Sequence, residues 1–367
     1  MILREHLLYI GIGQCGGNIG DEFQKQNIQT ICVNSSLRDL DTLKYVNQKL
    51  HLKDGAGANH NRKKSKQLFI KELPTFLNTI GEKIRQHDIK IILVGYSSAG
   101  GTGSGIGNIA AELIKKKYPN IVVCMVSVLP SDLETIKAHY NSYLCFQELM
   151  QNKICGATFI LDNNAFEDKL SINREFVENF CNLIDIPQCD SSQLKRIDEN
   201  EILEVLSAKN MAIITSIPYI ENQNIIDSLL KSLNDNVYAP REEDNKLGYL
   251  LLSLADRNLS FEKTLADLQL SIGKPIDAYI TSNTRKKTII CLTGLKMPEE
   301  RINKIKNVIE SNSKIIEETL NNNISITNIS DDLSNLLDTP NLDLPTNNNL
   351  TNDTNDNNFE DLISKYL

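Results

Sequence analysis

The stretch Val94-Gly95-Tyr96-Ser97-Ser98-Ala99-Gly100-Gly101-Thr102-Gly103-Ser104-Gly105-Ile106-Gly107 decides how the rest of the chain is read. It ends an apolar run, Ile89 to Val94, that suits a buried parallel strand, and it opens a helical stripe at Ile106, Ile109, Ala110, Leu113 and Ile114. The glycines therefore occupy a strand-to-helix turn. Without Cβ atoms at Gly100, Gly101, Gly103 and Gly105, successive backbone N–H groups can converge on one anion. The helix N-terminus behind them adds partial positive charge, and Thr102 and Ser104 add hydroxyl donors. A nucleotide di- or triphosphate suits such a concavity; a merely flexible turn would not need a helix directly behind it.

Two further glycine clusters lie upstream. Leu7-Leu8-Tyr9-Ile10 reads as a strand running into Gly11-Ile12-Gly13-Gln14-Cys15-Gly16-Gly17-Asn18-Ile19-Gly20, with a helix following through Phe23. This satisfies G-x-G-x-x-G, but a dinucleotide-binding dehydrogenase should carry an acid about 20 residues further on. Here the second strand, Ile31-Cys32-Val33, runs instead into Asn34-Ser35-Ser36, neutral groups that can bond phosphate or sugar. The third cluster, Gly55-Ala56-Gly57-Ala58-Asn59, precedes a basic helix start at Arg62-Lys63-Lys64. Alone it reads equally as a loop or as an anion contact; three such loops beside predicted element ends favour a shared anion.

Composition narrows the class. A chain of 367 residues with 41% hydrophobic and 23% charged content is long enough for two domains with ordinary soluble cores. No run reaches the roughly 18 apolar residues of a membrane span, and the start, Met1-Ile2-Leu3-Arg4-Glu5-His6, is too short and mixed for a signal peptide. Eight scattered cysteines without a C-x-x-C pair read as free thiols in a reducing cytoplasm. A net charge of −8 argues against direct nucleic-acid binding, though not against a protein partner that itself binds DNA.

Gly13-Gln14-Cys15-Gly16-Gly17-Asn18 and Gly100-Gly101-Thr102-Gly103-Ser104-Gly105 resemble the first nucleotide loop and the signature loop of the tubulin/FtsZ superfamily. The first is closer to eukaryotic tubulin, whereas Gly55-Ala56-Gly57-Ala58-Asn59 is closer to FtsZ. Ser127-Val128-Leu129-Pro130-Ser131 followed by His139-Tyr140-Asn141, and then Phe159-Ile160-Leu161-Asp162-Asn163-Asn164-Ala165, resemble the family's ribose and base loops in order and approximate spacing. The resemblance covers residues 7 to 205. It implies an α/β fold with a Rossmann-like GTPase domain, a mostly parallel sheet, a long connecting helix and a smaller α+β second domain. The expected divisions are 1–170, 171–193, 194–318 and a tail at 319–367.

The family implies GTP or GDP, with Mg²⁺ held through phosphates and water and no direct protein ligand. Beside the loop residues already quoted, including Ala99, the resemblance gives Pro130 and Glu134 to the ribose. Asn163 offers an amide that can both donate to and accept from guanine, or else caps a helix. On the next helix, Ile172 to Ile186, Asn179 and Asn182 could reach the base and Phe176 or Phe180 could stack on it. Asn179 with Phe176 is the preferred pair.

Asp198 and Glu201 stand three apart at a helix start, spacing that serves capping and dipole compensation equally well. The segment also resembles the family's synergy loop, in which two such carboxylates enter the neighbouring subunit's nucleotide site. That implies hydrolysis at a head-to-tail contact and an open filament.

Strands are expected at Met211–Thr215, Leu247–Leu252, Ala278–Thr281 and Thr288–Leu292, and helical stripes at Ile225–Leu233, Phe261–Leu270 and Ile302–Ile309. After Glu318, runs of Asn with Asp, Ser, Thr and Pro mark a disordered acidic tail. Its end, Phe359 to Leu367, has helical apolar spacing and reads either as a partner-docking helix or as a passive terminus. Within the superfamily the chain most resembles the TubZ branch of plasmid and phage segregation GTPases. That branch implies a partner in itself, as a filament, and in a DNA-binding adaptor of the TubR kind. The alternatives are an FtsZ-like division protein and a non-polymerising Rossmann enzyme.

Overall fold

Strand and helix alternate through the first half: β1 (Leu7–Ile12), α1 (Gly13–Lys25), β2 (Gln29–Asn34), α2 (Leu37–Asp41), β3 (Gln48–His51), α3 (Arg62–His87), β4 (Ile91–Ser97), α4 (Thr102–Lys117), β5 (Val122–Leu129), α5 (Ile136–Gln151), β6 (Ala157–Asp162) and α6 (Lys169–Ile184). Then come α7 (Ile186–Cys189), α8 (Glu199–Ser207), β7 (Asn210–Pro218), α9 (Ile225–Asn234), β8 (Tyr249–Leu254), α10 (Phe261–Ile272), β9 (Asp277–Ser282), β10 (Lys287–Leu295) and α11 (Glu299–Asn323). This computed structural model describes residues 2–189, 196–242, 247–256 and 258–323.

All ten strands form one sheet in the order β3-β2-β1-β4-β5-β6-β7-β10-β8-β9. β1, β4 and β6 are buried along nearly their whole length, as continuous apolar runs covered by helices on both faces must be. The expected second-half strands are present, and they extend the first half's sheet through the parallel pairing Ala157↔Asn210. Among the described strands only β10 runs antiparallel to its neighbours, β7 and β8.

From β1 the chain builds outward in opposite directions, to β2 and β3 on one side and to β4, β5 and β6 on the other. The boundary between β1 and β4 is therefore a switch point, and a crevice opens beyond its carboxyl ends. Backbones touch there. A Cβ on Gly16 would lie 2.2 Å from the Gly95 carbonyl oxygen, and one on Gly11 2.3 Å from that of Gly16. Tyr9 Oη donates to Gly16 O at 3.1 Å and fixes α1 against the strands.

α6 joins the two halves. Phe176 and Phe180 lie among Phe23, Phe159 and Tyr238, with ring centroids 5.4 to 6.4 Å apart along the Phe176 and Phe159 contacts. At the helix end Asp185 accepts from Arg4 at 3.0 and 2.6 Å and from Arg285 at 3.0 Å. Burial alone would raise the Asp185 carboxyl; the two guanidinium groups outweigh it and hold the group below the usual range. α11 continues to Asn323, past the expected start of the tail at residue 319. The rest of the acidic tail and the expected terminal helix lie outside the described residues, within which no helix is long and apolar enough to cross a membrane.

Replacing Gly16 by alanine forces the Gly95 backbone to move and should lower stability by about 1–3 kcal/mol, as overpacking does. Urea unfolding measures it; a change below about 0.5 kcal/mol would show that the contact relaxes freely.

Candidate nucleotide site

A cavity of about 770 Å³ occupies the crevice. Of the expected ligand residues, Gly13, Gln14, Cys15, Asn18 and Asn34 line it, as do Ala56, Gly57, Ala58 and Asn59. Ala99, Gly100, Gly101, Thr102 and Gly103 complete the glycine-loop end, with Glu134 and Asn163 at the other. Three loops from distant parts of the sequence thus share one wall. Gly13 and Gly57 hold φ of 73° and 98°, which a side chain would strain.

Helix capping identifies the ligand's charge. α2, α3, α5, α6, α8, α9 and α10 each begin with a side chain that accepts from the first turn. α1 and α4 begin at Ile12 and Gly101, which supply no such acceptor, and neither has an acid in its first turn. Both uncapped ends open into the cavity. An N-terminus left without a cap costs about 1 kcal/mol, and a bound anion would supply what is missing. Ser35 Oγ and Thr102 Oγ1, 2.7 Å apart, tie the second loop to the start of α4.

Several expected residues do not line the cavity. Phe176 is fully buried in the aromatic cluster, so it cannot stack on a base in the cavity. Asn179 is turned to β7 and accepts from Ser216 Oγ at 2.7 Å, while Asn182 accepts from Arg285. Gly16 is filled against Gly95, and a Cβ on Gly55 would lie 2.6 Å from the Ser35 carbonyl oxygen; both are packing glycines. Ser104 bonds back to the Gly100 carbonyl, and Pro130 O accepts from Arg301 at 2.7 Å.

The cavity is also lined by residues the sequence reading passed over. Asn173, one turn earlier on α6 than Phe176, is buried and lines the cavity beside Lys169 and the half-exposed Leu170. Their signal was the first turn of α6, capped by Asp168. Ser36, Arg38, Asp39 and His60 also line the cavity. Glu134 Oε1 accepts from Lys169 Nζ at 2.8 Å, Ser131 N–H at 3.2 Å and Asn163 Nδ2 at 3.3 Å. Its Oε2 has no protein donor among the described residues and is available to a sugar hydroxyl. Burial pushes the Glu134 carboxyl up, yet Lys169, helped by Ser131 and Asn163, carries it below the usual range. Burial pushes the Cys15 thiol up to about 12, so it lines the cavity as a neutral group.

Asp198 and Glu201 stand away from the cavity. They form a capping box on α8: Asp198 Oδ1 accepts from Glu201 N–H at 3.0 Å and Glu201 Oε2 from Asp198 N–H at 2.8 Å. Each keeps one carboxylate oxygen outside the box, and Asp198 is exposed.

Residues 6–171 match the Tubulin/FtsZ family, GTPase domain. Sheet, cavity and match together define the class: residues 6–171 carry a tubulin/FtsZ-family GTPase domain. More particularly, it is 28% identical over 320 residues to the tubulin-like protein TubZ of Clostridium botulinum C phage, across 85% of each chain. The solved structure of Clostridium botulinum phage c-st TubZ, truncated at its C-terminal tail, superposes with a TM-score of 0.75 at 27% identity, covering 85% of this chain and 99% of that one. TubZ of Bacillus thuringiensis serovar israelensis, solved as a GTPγS-form protofilament, gives a TM-score of 0.72 over 86% and 94%. At 16% identity that likeness speaks for the fold.

Asn173→Ala should weaken GTP binding about tenfold, whereas Phe176→Leu should cost about 1 kcal/mol of stability and leave affinity unchanged. Titration with a fluorescent GTP analogue beside urea unfolding separates the two, and the reverse pattern would restore Phe176 to the site. The Glu134 carboxylate, with its lowered native value, contributes stability above its unfolded pKa of about 4.3 that is lost as pH falls through the native one. Removing the cation in Lys169→Met leaves burial to act alone. The stability gap between wild type and variant should therefore widen as pH rises from about 3 to about 6; a constant gap would show that Lys169 does not govern Glu134.

Proposed function

We propose that this chain polymerises head to tail with GTP and hydrolyses it where one copy's Asp198 and Glu201 meet the next copy's cavity. The carrying observation is a mismatch of charge. The cavity offers uncapped helix ends for phosphates, and its own acids are Asp39 and Glu134. Glu134 is tied to Lys169 beside Asn163, and Asp39 accepts from the Asn34 amide at 3.2 Å. The carboxylates of exposed Asp198 and half-buried Glu201 at the start of α8 lie outside it. A second copy would supply them.

In this reading residues 1–170 bind the nucleotide, 171–193 connect, and 194–318 activate the neighbour. The N–H groups of α1 and α4 hold the phosphates and stabilise charge on the transferred phosphoryl group. Asp39 suits a Mg²⁺ held through phosphates and water, since its carboxylate faces the cavity with a single amide donor. Partial burial, with the charges of Asp198, Asp277 and Glu204 and against the Asp198 N–H, lifts the Glu201 carboxyl above its ordinary value. That moves it towards the basicity of a group that takes a proton from attacking water, leaving GDP and phosphate as products. The likeness to TubZ supports a role for the filament in moving plasmid or phage DNA in a bacterial cytoplasm, through a TubR-like adaptor held by the acidic tail.

Glu201→Gln keeps an acceptor for the Asp198 N–H, so the α8 cap survives while the base is lost. GTP binding should persist, and turnover should fall by about 100-fold, within the range for a general base. Light scattering should rise with GTP in wild type, and its specific GTPase activity should climb with protein concentration. Activity independent of concentration, or full turnover in the variant, would defeat the reading.

A further inference from the structure

Asn141, on α5, takes no part in the mechanism above. It is buried, with 4% of its surface exposed, and its Nδ2 donates to three carbonyl oxygens: His60 at 3.0 Å, Ala99 at 3.3 Å and Gly100 at 3.2 Å. Three acceptors around one atom fix the amide's orientation, because its oxygen in that place would meet only lone pairs.

The acceptors belong to two loops, one before α3 and one before α4, whose Gly57, Ala58, Ala99 and Gly101 line the cavity. The loops touch one another. A Cβ on Gly101 would lie 2.8 Å from Ala58 Cβ and 3.0 Å from His60 Cα, and His60 Nδ1 is 3.3 Å from Ala99 O. Asn59 and His60 hold φ of 49° and 59°, a left-handed turn that side chains adopt only when the surroundings impose it. Across a trans peptide, carbonyl and following N–H point in opposite directions. Drawing the Ala99 and Gly100 carbonyls onto Asn141 therefore turns the Gly100 and Gly101 N–H groups away from it, and neither has an acceptor among the described residues.

We infer that Asn141 is a positioning residue that locks these two loops into one array of phosphate donors, so that nucleotide affinity depends on a side chain outside the cavity. The inference rests on the cavity being the nucleotide site. Without the lock, binding must order two loops that are otherwise ordered beforehand.

The full chain is titrated with fluorescent GDP and GTPγS analogues. Asn141→Asp preserves shape but replaces the donor with an acceptor, and should weaken both nucleotides by about tenfold or more. Asn141→Ala should raise KM for GTP several-fold while kcat at saturation stays within about twofold. Leu149→Ala, a core change on the same helix, should lower Tm at least as much and leave affinity within about twofold. Wild-type affinity in Asn141→Asp, or an equal loss in Leu149→Ala, would overturn the inference. Should Asn141→Asp not fold, Asn141→Ser, which keeps one donor, decides by the same titration: affinity between those of wild type and Asn141→Ala supports the lock, and affinity equal to wild type in both refutes it. Failure of the wild type itself to bind would instead remove the site assignment, and the inference with it.

Discussion

Backbone contact at the boundary between β1 and β4 governs the rest of the architecture. A Cβ on Gly13 would lie 3.1 Å from the Gly103 nitrogen, so the N-termini of α1 and α4 begin almost against each other. A side chain at the Gly11, Gly16 or Gly95 contacts would lift α1 from the strands and part the two helix ends. Separated, each end would be an ordinary terminus in need of its own cap. Together they concentrate two partial positive charges and their free N–H groups on one volume, which is what a polyphosphate requires.

The half of the cavity formed by the glycine loops was legible because both of its signals are local. Glycine between an apolar run and a helical stripe is visible in sequence, and so is the lack of Ser, Thr, Asp or Asn at Ile12 and Gly101, the residues just before α1 and α4. The half lined by α6 was not, because it depends on helix phase. Ile172, Phe176, Phe180 and Leu183 form a stripe at core spacing, which by itself assigns Phe176 to the interior. Reading it as a stacking ring required it to leave that stripe. Asn179 was undecidable locally, since its partner Ser216 comes from β7. The continuity of the sheet was hidden for the same reason: three register pairs between β6 and β7 carry it, and their spacing is set by α6 to α8 rather than by either strand.

Capping and catalysis at α8 need not compete. Holding Asp198 and Glu201 in a reciprocal box costs each one oxygen and removes rotamer freedom that a catalytic carboxylate would otherwise lose on reaching its target. The remaining oxygens are directed by the same geometry that stabilises the helix. A sequence pattern explained fully by capping is therefore also the pattern of a pre-set pair of acceptors, and only the surroundings separate the two roles. Here those surroundings are further acids, Glu204 and Asp277, with Tyr279 Oη donating to Glu204 at 2.9 Å.

The last described helix is fixed to the opposite end of the cavity. Arg301 donates through Nε to Asp162 at 2.6 Å and through Nη2 to Asp162 at 3.2 Å and to Pro130 O at 2.7 Å, and both side chains are about 95% buried. Breaking such a pair strands a buried charge at about 3–5 kcal/mol, whereas surface pairs such as Lys306 with Glu310 contribute about 1 kcal/mol or less. Arg301 therefore sets the position of α11. Its anchors are the residue preceding Asn163 and the carbonyl that opens the loop to Glu134, and Asn163 and Glu134 both line the cavity. A displacement of α11 cannot leave that loop in place without breaking the buried pair. The same buried pair therefore ties the position of α11 to that of the loop carrying Glu134.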